Sequence, residues 1–263
     1  MMPGVEQLRT IITDLRIGVS FATILPFGPS TAVDDGEVTR ATWSLPVTGL
    51  LVGLVGSAVY GVAYAVGLTS GPAAMLALAS TVIVTGALHE DGLADAVDGL
   101  GGGRTRERKL EIMRDSRIGT YGACALFISL ILRWSALAAI AAPRSVMIAL
   151  LLAHAAARAG VPTFMAFVPP ARPDGLSARA GQPTPQGAAI ALGLGALILA
   201  LGFGTGKAIL AVALLALIGL MTARLAIKQI GGQTGDILGA FEQLGETAIL
   251  LIATSLFHSS LPL

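Results

Sequence analysis

Cysteine is almost missing: Cys124 is the one thiol in 263 residues, which excludes an internal disulfide framework and a cysteine-ligated metal cluster. Charge is scarce as well. Asp, Glu, Lys and Arg make up 13% of the chain, about half the roughly 25% usual in soluble domains. The 17 basic and 16 acidic side chains leave a formal charge of +1, so no basic field is present to gather nucleic acid. Apolar residues are what the chain has, at 54%, together with 33 glycines. That supply is enough for seven spans of about 20 residues each and excludes an ordinary soluble domain. The expectation is an all-α, polytopic helical membrane protein in which residues 1–263 form a single membrane-embedded domain.

No cleavable leader is expected, because Glu6, Arg9, Asp14 and Arg16 interrupt the first sixteen residues. The apolar run that follows, 17–27, is short and holds Pro26, so it reads as an interfacial or re-entrant helix. Longer runs recur at 45–66, 71–88, 121–142, 146–168, 187–204, 207–227 and 246–261, and these are the seven spans. The connections alternate between tight turns and longer charged segments at 89–120, 169–186 and 228–245. With seven spans, segment 1–44 joins the long loops on one face. That face takes every basic residue except Arg133, Arg144, Arg158 and Lys207, and all sixteen acidic ones. The positive-inside rule makes it cytosolic, and chemistry is expected there.

The densest polar stretch is His89-Glu-Asp-Gly-Leu-Ala-Asp-Ala-Val-Asp-Gly-Leu-Gly-Gly-Gly103. The run 71–88 covers only about 27 Å as a helix, a little less than a hydrocarbon core, so the helix is expected to continue into this acidic segment. Asp91, Asp95 and Asp98 then fall within an arc of about 60°, with Glu90 to one side. Like charges packed this closely repel unless a cation neutralises them. Oxygen-only ligands point to a hard dication such as Mg²⁺ rather than zinc or copper. A solvated helix end is the plainer reading, and the glycines at 99 and 101–103, which allow close backbone approach to a ligand, weigh against it. His89 reads as a neutral interfacial residue.

Three other features lie on or near that face. The run 104–117 carries six basic residues, which either neutralise a polyphosphate or simply fix topology and touch anionic lipid. Within it Arg104, Asp115, Ser116 and Arg117 are candidate substrate contacts, those nearest the next span being the better placed. In the fourth span His154 and Arg158 stand one turn apart, and an intramembrane arginine is read as paired or functional. Contact with an anionic ligand is favoured for Arg158, whereas Arg133 is expected to snorkel, nothing polar lying near it in sequence. The last loop places Gly231, Gly232 and Gly235 ahead of Asp236, a flexible backbone nest for phosphate beside a further carboxylate. Together these suggest metal-assisted transfer of a phosphorus-containing group.

The segment 89–103, the stretch Lys109-Leu-Glu-Ile-Met-Arg-Asp-Ser-Arg-Ile-Gly-Thr-Tyr-Gly122 and the stretch Gly232-Gln-Thr-Gly-Asp-Ile-Leu-Gly-Ala240 resemble the cobalamin synthase family, the adenosylcobinamide-GDP ribazoletransferases. The resemblance extends over nearly the whole chain. It implies a Mg²⁺-dependent enzyme of the bacterial cytoplasmic (inner) membrane that joins adenosylcobinamide-GDP to α-ribazole or its 5′-phosphate and releases GMP. Carried over, Glu90, Asp91, Asp95 and Asp98 would hold metal and diphosphate, with Asp91, Asp95 and Asp236 forming the catalytic set. Arg117 and Arg158 would contact phosphate, and Asp236 would be either a ligand or the group that orients the attacking hydroxyl. A CDP-alcohol phosphatidyltransferase is the nearest alternative, but Asp95 stands where its pattern has arginine. A secondary transporter fits less well, since the acids gather at one surface. Whether the protein is a homo-oligomer is left open.

Overall fold

The computed structural model describes residues 3–29 and 33–257, and the end of the expected last span, 258–261, lies outside them. The helices are α1 (Pro3–Ala22), α2 (Asp35–Ala41), α3 (Leu45–Ala65), α4 (Ser70–Val84), α5 (Leu88–Gly102), α6 (Arg106–Ile112), α7 (Thr120–Ile140), α8 (Pro143–Phe167), α9 (Leu176–Arg179), α10 (Pro185–Phe203), α11 (Thr205–Ile230) and α12 (Gly235–Phe257). Among the described residues the β pairing is confined to one bridge, Pro170 with Gln233. Six helical stretches are long and apolar enough to cross a membrane, and α4 with α5 makes a seventh only if the two count together. The chain is an all-α polytopic membrane protein.

Two boundaries of the spans differ widely from expectation. The helix of the second span does not run on into the acidic segment: α4 stops at Val84 and α5 leaves at 86° to it. Gly86 and Ala87 both take positive φ, +62° and +57°, and their N–H groups bond back to Ile83 O (3.0 Å) and Val82 O (2.9 Å). That is a Schellman stop, which satisfies the last carbonyls of α4. The second difference is at the other end. The last span was expected to begin at Glu246, yet α12 starts at Gly235, so Glu242 and Glu246 stand inside the bundle and are buried.

The amino-terminal helix α1 begins ahead of the 17–27 run and is not among the helices long and apolar enough to cross. It is tied to the following segment through buried Asp14, whose carboxylate accepts from Arg40 Nε and Trp43 Nε1, both at 2.9 Å. Its other side leaves Leu8, Ile11 and Ile12 exposed.

Helices α8 and α12 occupy the centre, and α11 lies outside with Ile209, Leu210 and Met221 exposed. Apolar side chains on that outer face suit a lipid surround rather than water. Close approach of α3 to α8 depends on glycine. A Cβ at Gly49 would stand 2.2 Å from His154 O, and one at Gly53 would stand 2.8 Å from Leu150 O. Stripes of small residues let helix backbones touch where no hydrophobic force pulls them together.

This contact yields a stability prediction. Gly49→Val must push α3 off α8 and should cost about 3 kcal/mol or more by overpacking, read as a lowered melting temperature in detergent. Gly61→Ala, on the same helix with nothing within 4 Å of its new Cβ, should stay within about 1 kcal/mol of wild type. Equal melting of the two variants would refute the packing argument.

Candidate active site

The turn at Gly86 and Ala87 gives α5 two different faces. One carries Asp91, which is exposed, and Asp95, which is half-buried. A glycine crossing brings α12 against this face: a Cβ on Gly92 would lie 3.2 Å from both Asp236 O and Gly239 Cα. Asp236 thereby joins the α5 aspartates, and the charges of Asp91, Asp236, Asp98 and Asp115 all bear on Asp95. Three helical or linker segments thus contribute carboxylates to one edge of the bundle.

Asp98, the third member of the expected face, is turned to another use. Its two oxygens accept from the Gly119 and Gly122 amides at 2.7 and 2.9 Å. A carboxylate at a helix N-terminus satisfies orphan donors and meets the positive end of the dipole, so Asp98 caps α7. Glycine is required at both positions, because a Cβ would come within 2.5 Å of the Asp98 carboxylate at Gly119 and 2.4 Å at Gly122.

Glu90 is one residue before Asp91 and points the opposite way, into the bundle. Its Oε1 is 3.0 Å from Arg133 Nη2 and accepts from Gln243 Nε2 at 3.2 Å. Arg133 does not snorkel; its Nη1 also reaches Glu246 Oε2 at 3.2 Å. Arg158 is paired in the same cluster, with Nη1 2.6 Å from Glu242 Oε1 and 2.7 Å from Glu246 Oε1. His154 Nδ1 contacts Glu246 Oε1 as well. His89, rather than lying at the interface, is 3.9 Å from Glu242 Oε2 and 3.4 Å from Arg158 Nη2. The structure therefore separates Glu90 and Arg158 from the aspartate edge and assigns their charges to each other's neighbours. Glu242, in the expected last loop, and Glu246, at the expected start of the last span, complete the cluster. A signal for them existed: two acids four apart on one helix match a cation and a histidine four apart on another.

The basic run 104–117 is largely spent on local partners. Arg106 donates to Ile230 O and Ala171 O, both at 2.8 Å, and Lys109 Nζ donates to Leu100 O and Gln229 Oε1. Arg114 pairs with Asp174, and Arg108 pairs with Glu111 at 2.8 Å. Arg117 folds back onto Asp115 at 2.6 Å, and its hydrogen bonds hold the Asp115 carboxyl down to about 2. Arg104, Ser116 and Arg117 are exposed.

A residue that sequence reasoning passed over lies closer in. Arg172 Nη2 is 3.8 Å from Asp236 Oδ2. Segment 169–172 is stitched to 231–234 by Ala171 N to Gln233 O and Gln233 N to Pro169 O, both 2.8 Å. Thr234 caps α12, its Oγ1 accepting from Ile237 N at 3.3 Å and donating to Asp236 Oδ2 at 3.1 Å. Beside it Gly235 has open space where a side chain would stand.

One group among the described residues brings three metal-ligating atoms close together. His154, Glu242 and Glu246 bring ligand atoms within 4.8 Å of one another, but Arg158 already fills that space with its own charge. Asp91, Asp95 and Asp236 are more widely spaced: Asp91 is exposed, Asp95 and Asp236 are half-buried, and their oxygens would have to draw together around an ion. Such a set suits a hard dication that keeps waters and takes the rest of its ligands from a phosphate.

Residues 14–254 match the family model described as cobalamin-5-phosphate synthase. A protein of Bradyrhizobium diazoefficiens named adenosylcobinamide-GDP ribazoletransferase is 65% identical over 255 residues, 97% of this chain and 98% of that one. One of the same name from Mesorhizobium japonicum is 49% identical, with 94% of each chain covered. No solved structure matches. A match of this extent, over helices that include both the aspartate edge and the buried cluster, shows that the chain belongs to the cobalamin-5-phosphate synthase family and is a transferase.

Proposed function

We propose that this chain joins adenosylcobinamide-GDP to α-ribazole or α-ribazole 5′-phosphate at the cytosolic edge of a bacterial inner membrane, releasing GMP. The observation that carries the reading is the meeting of Asp91 and Asp95 on α5 with Asp236 on α12 across the Gly92 and Gly239 contact. Family membership supplies the substrate class. In the reaction the ribose 3′-oxygen forms a bond to the phosphorus attached to the corrinoid, the bond from that phosphorus to the bridging oxygen of GMP breaks, and the hydroxyl proton leaves.

Asp91, Asp95 and Asp236 would hold Mg²⁺, which when bound supplies positive charge against the phosphates and the departing GMP. Asp236 has a second task available to it. With Oδ2 engaged by Thr234, Oδ1 would accept the ribose hydroxyl and orient its oxygen toward phosphorus. Gly235 admits the phosphate to the amino-terminal end of α12, where amides point outward and the helix dipole favours an anion. Asp98 keeps α7 and the 113–119 linker in register with this edge, and Arg117 and Ser116 form its outer rim.

Three measurements test the reading. Asp91→Asn or Asp95→Asn should cut GMP release by about 10²-fold or more with an unaltered melting profile; wild-type turnover in either variant refutes the assignment. EDTA should silence the purified enzyme and Mg²⁺ restore it, whereas full activity in chelator removes the metal from the scheme. In a Cys124→Ala background, Arg108→Cys should resist an impermeant maleimide in intact cells and react once the membrane is opened. Ready labelling of intact cells would put the site on the opposite face.

A further inference from the structure

Among the described residues, and leaving aside exposed Arg104, the basic side chains around the aspartate edge have partners that consume them, with one exception. Arg133 and Arg158 are held by buried glutamates, Arg106 and Lys109 by carbonyl oxygens and Gln229, and Arg114 and Arg117 by aspartates. Arg172 is different. Its Nε, like those of Arg133 and Arg158, is buried with no hydrogen-bond partner among the described residues, but its terminal nitrogens are not spent on a close ion pair as theirs are. Its Nη1 reaches Leu110 O only at 3.4 Å, and its Nη2 stands 3.8 Å from Asp236 Oδ2, beyond hydrogen-bonding distance. A guanidinium carries five N–H donors; here Nε is buried and unmatched, which is costly unless something else takes it up, while the terminal nitrogens are partly open to an arriving ligand.

We propose that Arg172 binds the diphosphate of the nucleotide-activated substrate, on the side of the site opposite Asp91 and Asp95. The inference rests on the transferase reading above and names a residue that reading did not use. The backbone under Arg172 is fixed in advance. Two bonds stitch its segment to the loop before α12, and Arg106 clamps Ala171 O and Ile230 O from outside. Gly232 permits this approach, since a Cβ there would lie 2.1 Å from Pro169 O. A cation held this way loses little freedom when an anion arrives. Its planar fork matches two phosphate oxygens, which an ammonium cannot do. The open space at Gly235 and the amino-terminal end of α12 lie next to it, so phosphate oxygens there would meet helix amides on one side and the guanidinium on the other.

The test uses the full-length protein in detergent, with GDP as a binding probe and both substrates varied in turnover. Arg172→Gln should weaken GDP binding in equilibrium dialysis and raise KM for adenosylcobinamide-GDP by about 10- to 100-fold, leaving KM for α-ribazole unchanged. Arg172→Lys should show an intermediate rise, and it carries the test if the glutamine variant does not fold. Unchanged GDP binding and KM in a folded variant overturn the proposal. So does an equal loss toward both substrates together with a lower melting temperature, which is the mark of a purely structural arginine. If wild type binds GDP through Arg172 yet transfers nothing, the phosphate contact stands and the transferase reading fails instead.

Discussion

A guanidinium does not stay charged inside an apolar bundle without a carboxylate against it, and Arg133 and Arg158 each have two. Glu246 serves both, with one oxygen toward each arginine and His154 beside it. The arrangement ties together α5, α7, α8 and α12, one member or more from each. Taking paired charges out of water gains little over a well-packed apolar contact, but removing one member strands the rest at a cost of about 3–5 kcal/mol. The cluster therefore acts less as glue than as a requirement on geometry. Only one mutual placement of the four helices satisfies all of its members, and that placement sets where α5 lies.

That matters because the cluster, together with the burial of Leu93 and Ala96 against α12, fixes how α5 is turned. This helix is fifteen residues long, follows a left-handed stop and carries four acids. Its fate is decided residue by residue. Glu90 goes inward to Arg133, Gly92 lets α12 come to backbone contact, Asp98 caps α7, and what remains, Asp91 and Asp95, faces out beside Asp236. Three of the four acids in 90–98 lie on or near one arc in sequence, yet two of the four are structural. A shared helical face says which side chains are neighbours, not which of them is free to bind something.

The helical class and most boundaries could be read from hydropathy alone. The run 121–142 became Thr120–Ile140 and 187–204 became Pro185–Phe203, because a span is long, apolar and closed by turn residues. The break after Val84 could not be read that way, since the apolar run passes straight through it. Gly86 was the cue, a glycine where a helix end needs positive φ, hidden by hydrophobic neighbours. The start of α12 was misplaced for the opposite reason. Asp236, Glu242 and Glu246 lowered the hydropathy of a buried helix, and the arginines that justify them lie 88 and 113 positions away. Arg172 had no local signal at all, because a bridge to residue 233 brings it to the site.

The two sets of carboxylates on α5 and α12 follow from one rule applied at two depths. Where water and ligand are absent, Glu90, Glu242 and Glu246 must be neutralised by the protein itself, and arginine from neighbouring spans does so permanently. At the edge, the one ion pair that Asp91, Asp95 and Asp236 make among the described residues is with Arg172 at 3.8 Å, fewer cations than acids. An edge left short of positive charge but reachable from solvent favours arrival of a dication, and a dication there favours a diphosphate in turn. Had the bundle supplied a second arginine to this edge, the aspartates would resemble Glu246: satisfied, rigid and without reason to bind anything. On the proposed reading, transferase chemistry at this edge depends on the fold withholding there the partners that it provides to Glu242 and Glu246 deeper along α12.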